Sequence, residues 1–406
     1  MNMKKTILTF LVAGMCLGNV YAQDNAEEPL MDYRRSSLYS VLVSHNQQKF
    51  AYEIGKVFLE IPTPDKYNDH NLSVRIVSME GKKPDVALIE KFIKDNGIAS
   101  RLVARWFNRD PQTGVCDVEL VKQRGLYDAS EFDKELAMKS QRGLAMLEDA
   151  GEDLIANTFI VVNDIRYLDR GKAGQGAAMA LRLMGTMADI LMQTNTFTDL
   201  GDSMGSMMET LKGFKVKVET HLYQLVWDEE TSMKFYTDFY ASEPDEAKVK
   251  AFEQNRDLFK LKYVGMQESS GRDVSFMGVN LDEPEAMIRK ACQRAIDENI
   301  ASLQKNFEVF QVKTPLQSVA PIYAPIGLKE GITEDSRFEV LEAVVNKEGK
   351  VEYEKVGEVK PMPGLIWDNR YMAAEEGSLN AGLGHTTFKK ISGKDFYPGM
   401  LIREIK

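Results

Sequence analysis

Residues that bind metals or form disulfides are scarce in this sequence. Its 406 residues include 3 cysteines and 4 histidines. No two histidines have the spacing of metal ligands, so the sequence predicts neither a metal site nor a cofactor. Asp65, Asp69 and His70 could form a ligand site in a Pro-rich loop, but polar residues in such loops more often make turns and helix caps.

Two cysteines, Cys116 and Cys292, remain once the leader described below is removed. An oxidising compartment would permit a disulfide between them. Cys292 shares a helical face with Ile288, Ile296 and Leu303, a pattern that favours a buried free thiol. The sequence leaves both alternatives open.

The chain also lacks clusters of basic residues. Its 51 Lys and Arg are outnumbered by 61 Asp and Glu, and the formal net charge is −10. Proteins that bind nucleic acid carry a basic patch or stripe, so the sequence argues against nucleic acid as a partner. After the leader, no apolar run approaches the ~20 residues that span a bilayer, which predicts a soluble or peripheral protein.

The first residues have the pattern of a secretory signal peptide. Lys4 and Lys5 precede an uncharged stretch at residues 6–20, and Val20-Tyr21-Ala22 forms a small-x-small exit. We expect cleavage after Ala22 and a location in the periplasm, at the outer membrane or outside the cell. A lipoprotein anchor at Cys16 is the alternative, but Met15 stands where a small residue is needed.

Strands alternate with helices over residues 23–313. This predicts an α/β domain with a mixed sheet in three layers. The strand patterns cover residues 38–43, 72–77, 158–167 and 214–223, and the helix patterns cover 50–61, 84–96, 244–255 and 282–304. We also expect a hairpin formed by residues 101–107 and 116–121, a helix at 128–150 that stops at Gly151, and a strand at 235–240.

Residues 314–406 have a different pattern of predicted secondary structure. Short strand patterns and turn residues follow one another without helices, which predicts a small, barrel-like all-β domain.

A Met-rich insertion separates the strand patterns at 158–167 and 214–223. It covers residues 171–213 and is read as helical, with a helix at 174–193 and a shorter one at 206–211. The insertion could pack on its own domain, form an interface with a protein partner or a second copy, or contact a membrane. Its predicted partner-binding residues are Leu181, Met184, Met187, Leu191, Met204, Met207 and Met208.

Two short motifs in the insertion suggest catalysis, but their context argues against it. Gly201-Asp202-Ser203-Met204-Gly205 fits G-x-S-x-G, yet it lacks the apolar strand before it and the long helix behind it that a nucleophile elbow needs. The Gly-rich run at residues 171–176 lacks the Gly-Lys-Ser/Thr ending of a phosphate-binding loop. The sequence therefore predicts no catalytic residue.

The order of elements after residue 140 resembles that of bacterial envelope assembly proteins of the curli-secretion channel and flagellar-collar type. Residues 150–165 resemble the entry to the penultimate strand of that domain, residues 216–228 its last strand, and residues 282–304 its closing helix. Residues 325–340 and 397–402 resemble the first hairpin and the last strand of the collar type's β module. The resemblance implies a non-enzymatic protein that assembles with others.

These observations predict a secreted bacterial envelope protein that acts by protein binding. One alternative is a secreted hydrolase that uses carboxylates on glycans. The other is a peripheral, membrane-active protein.

Overall fold

Two β-sheets of different construction organise the protein. The computed structural model describes residues 36–79, 84–127, 138, 145–168, 215–272, 284–347 and 351–405. One sheet lies between residues 37 and 272 and is accompanied by helices. The other lies between residues 314 and 405 and is antiparallel and curled into a half-barrel. The predicted combination of a mixed α/β sheet with a separate β-sheet is confirmed.

The parallel half of the first sheet is built around β1 (Ser37–Ser44). β2 (Asn68–Asp69) and β3 (Ile76–Ser78) pair in parallel with β1. β4 (Thr158–Tyr167) is also parallel to β1 and lies between β1 and the antiparallel half. β1 is therefore an interior strand of the sheet, and most of its side chains are buried.

The antiparallel half is formed by β5 (Lys215–Leu225) and β6 (Leu261–Arg272). β4 pairs with β5 along its length, and β5 pairs with β6. The prediction that the runs at 158–167 and 214–223 are strands is thus confirmed. They are also direct neighbours in one sheet.

Several helices begin at an aspartate that caps the first turn. The side chains of Asp85, Asp228 and Asp245 accept backbone N–H groups of the turn that follows, as N-cap residues do. The described helices are α1 (Ala51–Glu60), α2 (Val86–Asp95), α3 (Ile98–Trp106), α4 (Val118–Tyr127), α5 (Ala145–Ala156), α6 (Glu229–Lys234), α7 (Glu246–Gln254) and α8 (Pro284–Asn306).

Side chains of β1 alternate between two apolar clusters. Leu38 and Leu42 join a cluster that includes buried residues of α1 and α8. Tyr39 and Val41 join another that includes buried residues of α2 and α3. Because successive side chains of a strand point to opposite faces, both faces of β1 are covered by apolar residues.

The prediction of a hairpin formed by residues 101–107 and 116–121 is wrong. Residues 98–106 form α3, and residues 118–127 form α4. Leu102, Val103 and Trp106 are buried, which is the spacing of one helical face and not the alternation of a strand. The turn itself is present, because the Asp110 carboxylate accepts the backbone N–H groups of Gln112 and Thr113, but it follows a helix.

Two further predictions are wrong. The strand expected at residues 235–240 is instead a π-helical turn, Phe235–Phe239, that continues α6. Phe235 and Phe239 pack in an aromatic cluster. Helix α5 does not stop at Gly151 but runs through it to Ala156. A Cβ atom at Gly151 would lie 2.3 Å from the carbonyl oxygen of Val121. Glycine is present there because α4 crosses α5 closely.

The second sheet has the strand order β7–β13–β10–β11–β12–β9–β8. Alternate side chains, among them Val340, Val359 and Phe388, enclose one apolar cluster. The strands are β7 (Thr314–Pro315), β8 (Ser318–Val319), β9 (Ile322–Ala324), β10 (Arg337–Val345), β11 (Val351–Pro361), β12 (Thr386–Gly393) and β13 (Leu401–Ile405).

Helix α8 joins the two sheets within one compact unit. Its apolar face packs on the first sheet through Ile288, Ala295 and Leu303. On its other side, Lys290 is only 2% exposed and forms an ion pair with Glu376, which precedes β12. Among the helices of the described ranges, none is long and apolar enough to cross a membrane.

Candidate functional site

The predicted partner-binding residues lie outside the described part of the chain. So do the motifs at residues 171–176 and 201–205. The residues in question are Leu181, Met184, Met187, Leu191, Met204, Met207 and Met208.

The two ends of this segment are adjacent in the first sheet. Tyr167 pairs with Val216, and the N–H of Leu168 donates to the carbonyl oxygen of Lys215 at 2.7 Å. A two-residue turn can close such an antiparallel pair. The residues between Leu168 and Lys215 are therefore not needed to connect β4 with β5.

Charged side chains line up across β4, β5 and β6 close to this position. Asp164, Glu219 and Glu268 are direct cross-strand neighbours. Lys217 Nζ lies 3.3 Å from Glu219 and 2.8 Å from Glu268, and Arg166 Nη2 lies 2.7 Å from Asp164 Oδ2. Because like charges opposite one another repel, the two cations stabilise this row of carboxylates.

Asp164 connects this row to the end of β1. Its side chain is 1% exposed and bonds to Nε2 of His45, the residue that follows β1. Burial acts to raise the pKa of Asp164, but the hydrogen bond with His45 and the ion pair with Arg166 outweigh burial and lower it. The carboxylate is therefore ionised at neutral pH.

The carboxyl ends of β1 and β4 are also joined by Gln48. Its Nε2 donates to the carbonyl oxygen of Ile165, and its Oε1 accepts the N–H of Tyr167, each at 3.0 Å. From here the chain continues to β2 on one side of β1 and toward β5 on the other.

The Pro-rich loop does not form the ligand site that its residues allowed. His70 is buried, stacks on Trp106 with 5.0 Å between ring centres, and bonds to the Leu102 carbonyl. Burial lowers the pKa of His70 to about 3, so the ring is neutral. The Asp69 carboxylate accepts the Asn71 N–H, as in a turn. In the described ranges no group of three or more His, Cys, Asp or Glu could hold a metal ion.

Cys116 and Cys292 are both free and buried, so the structure contains no disulfide between them. They belong to different apolar clusters. Burial raises the pKa of the Cys292 thiol to about 12 and also raises that of Cys116. Both shifts favour the protonated thiol over the reactive thiolate.

A cavity of about 480 Å³ lies where α8 faces the second sheet, and we call it the α8 cavity. Its volume is within the usual range for small-molecule sites, roughly 300–1,000 Å³. One wall comes from α8 and the end of β6, and the opposite wall from the turn at Leu328–Glu330 and from Arg370. The charged residues that line it are Arg294, Asp297, Glu298, Lys305, Lys329, Glu330 and Arg370.

Asp297 is the unusual residue of the α8 cavity. It is 8% exposed, and its Oδ2 has no hydrogen-bond partner among the described residues. Burial raises the pKa of Asp297 to about 6, although the charges of Lys329 and Arg294 act to lower it. Glu330 and Asp65 are the nearby acids that raise it further. A buried carboxylate without a donor is costly for the fold, which points to a role in binding.

Sequence reasoning did not find the α8 cavity. Its walls come from residues near 270, 297, 329 and 370, and no local spacing connects them. The available signal was an acid at a buried position of a helix, since Asp297 lies between the buried residues Ile296 and Ile300.

The fold and the α8 cavity define an α/β protein that carries a second, half-barrel sheet. No protein-family model matches the chain, and no curated protein matches its sequence. The resemblance to envelope assembly proteins therefore stays a prediction.

Proposed function

We propose that this is a secreted bacterial envelope protein that acts by binding another protein or a second copy of itself. The first sheet is its scaffold, and residues 171–213 together with the second sheet provide the contact surfaces. The signal peptide ending at Ala22 directs it to the periplasm, the outer membrane or the outside of the cell. No catalytic residue or cofactor is assigned.

The hydrogen bond between Leu168 and Lys215 carries this proposal. A short turn would be enough to connect β4 with β5, but the chain has a long Met-rich segment at this position. Residues that are dispensable for strand pairing are free to serve recognition. Methionine suits such a surface because its side chain adapts to irregular apolar partners.

The test is to replace residues 169–214 by Asn-Gly, so that Leu168 and Lys215 flank a two-residue turn. We expect a folded, monodisperse protein that loses a partner or changes its oligomeric state. Cross-linking mass spectrometry in cells and light scattering of the purified protein give these readouts.

A control variant keeps the segment but replaces its seven predicted contact residues by serine. It should lose the same cross-links as the deletion. An aggregated or unfolded deletion variant would show that the segment belongs to the core. An unchanged set of cross-links in both variants would contradict the proposed contact surface.

The proposal also includes two finer points of architecture. The first sheet is the middle of three layers, since apolar clusters lie on both faces of β1. Residues 171–213 are helical, which their apolar spacing supports.

A carboxylate-dependent hydrolase acting on glycans is the second candidate, favoured by one observation. Asp297, whose pKa is raised to about 6, shares the α8 cavity with Glu298 and Glu330. An acid with a raised pKa suits general acid catalysis. Release of reducing ends from envelope glycans by the native chain, and not by Asp297→Asn, would support it. No release by either would exclude it.

Peripheral membrane binding is the third candidate. Co-sedimentation of the processed chain with liposomes, with and without residues 169–214, separates it from protein binding.

A further inference from the structure

We propose that the α8 cavity binds a small zwitterion, with Asp297 as the counter-ion of the ligand's ammonium group and Lys329 as the counter-ion of its carboxylate. This inference concerns the cavity between α8 and the second sheet and does not involve residues 171–213. Its test measures the binding of a small molecule, whereas the test of the proposed function measures cross-links to a protein. The inference therefore stands or falls independently of the proposed protein-binding function.

The first argument is that most charged groups of the cavity already have partners. Arg294 Nη2 lies 2.8 Å from Glu376 and 2.7 Å from the Tyr371 carbonyl oxygen. Lys305 Nζ lies 2.9 Å from Glu404. These cations are neutralised by carboxylates from the second sheet and its loops, so they hold the cavity wall together.

Two more lining groups are satisfied in the same way. The Arg370 guanidinium forms a bidentate pair with Asp368, with both N···O distances at 2.8 Å. The Glu330 carboxylate accepts the N–H of Gly327 at 2.7 Å and the side-chain amide of Asn369 at 2.8 Å. Such charge-assisted, geometrically defined bonds keep these groups in place.

Asp297, Glu298 and Lys329 are the charged lining residues that remain. In the described ranges Oδ2 of Asp297 has no hydrogen-bond partner, and the charge of Lys329 acts on Asp297 across the cavity without a direct ion pair. Asp297 and Glu298 are consecutive on α8, whereas Lys329 lies on the opposite wall. The cavity thus offers two carboxylates on one wall and one ammonium group on the other.

The second argument concerns Asp297 alone. A buried, ionised carboxylate needs hydrogen-bond donors, and Oδ2 has none in the described part of the chain. A protonated amine supplies up to three donors and a positive charge. A carboxylate at the other end of the same ligand would face Lys329. An ω-amino acid carries both groups.

The experiment compares three probes of equal length by saturation-transfer difference NMR on the full processed chain. 5-Aminopentanoate carries both charges, pentylamine only the ammonium group, and pentanoate only the carboxylate. We expect 5-aminopentanoate to bind most tightly. Its affinity should increase from about pH 5 to about pH 7.5, because Asp297 must be ionised.

Two variants assign the contacts. Asp297→Asn should weaken 5-aminopentanoate and pentylamine by at least about tenfold, with an unchanged thermal unfolding profile or a higher midpoint. Lys329→Met should remove the preference for 5-aminopentanoate over pentylamine. Glu308→Gln, at an exposed position after α8 and outside the cavity lining, is the matched control and should bind like the native chain.

Three results would overturn the proposal. They are no saturable binding of 5-aminopentanoate by the native chain up to about 10 mM, equal binding by Asp297→Asn, and equal affinity for all three probes. If Asp297→Asn does not fold, the Lys329→Met comparison still decides between a zwitterion and an amine.

Discussion

Replacing Asp297 by asparagine should stabilise the protein at neutral pH. The carboxylate is buried beside Ile296 and Ile300, and its Oδ2 lacks a partner among the described residues. Asparagine has nearly the same shape but carries no charge. The substitution therefore removes the desolvation cost of the ion and leaves the packing of α8 unchanged.

The magnitude follows from the raised pKa. Burial raises the pKa of Asp297 from 3.8 to about 6. Each pKa unit of difference between the folded and unfolded states corresponds to about 1.4 kcal/mol. Ionised Asp297 therefore lowers the free energy of unfolding by about 3 kcal/mol. Below about pH 3 the group is protonated in both states and the cost is absent. The cost grows as the pH rises through the two pKa values and is complete above about pH 7.

Urea unfolding of the native chain and Asp297→Asn at several pH values measures this. The free energy of unfolding of the variant, minus that of the native chain, should increase by up to about 3 kcal/mol between about pH 3 and about pH 7.5. Because both proteins contain the other carboxylates that titrate in this range, their contributions to the pH dependence cancel in the difference. Glu298→Gln, on the exposed side of α8, should show no such change.

A free-energy difference that does not vary with pH would refute the reasoning. It would mean that Asp297 is solvated or bonded in the folded protein and has an ordinary pKa.

Two further predictions concern packing around the helices. Glu376→Ala should lower the free energy of unfolding by about 3 kcal/mol, because it removes the carboxylate that pairs with the buried amine of Lys290. Glu358→Gln, in a surface ion pair with Lys355, should destabilise the protein much less than Glu376→Ala, and equal costs would contradict this account. Gly151→Ala should destabilise by about 1–3 kcal/mol, despite alanine's helix propensity, because its Cβ would clash with α4. Gly55→Ala, where the nearest atom is a side-chain tip at 3.4 Å, should stabilise by up to about 1 kcal/mol; the opposite order in urea unfolding would rule the packing argument out.

Periodicity predicted the elements whose burial follows a simple local rule. β4, β5 and α8 have long, regular patterns, and all were predicted close to their observed bounds. α3 was misread because Arg101-Leu102-Val103-Ala104-Arg105 can be fitted to a strand as well as to a helix. Its burial at helical spacing is decided by packing against neighbours distant in sequence.

Phe235 and Phe239 illustrate the same limit. Aromatic residues favour strands in isolation. Here Asp228 caps a helix that starts at Glu229, and an aromatic cluster including Phe107 and Phe252 receives both side chains on one helical face. A tertiary environment thus outweighed a local propensity.

The sequence by itself determined the alternation of strands and helices and the change of pattern near residue 314. Each depends on short-range periodicity or on turn residues, which act within a few positions of the chain. Only the tertiary structure decided that both cysteines stay free and that His70 is a core residue. It also created the α8 cavity, because Asp297, Lys329 and Arg370 meet only when α8 packs between the two sheets.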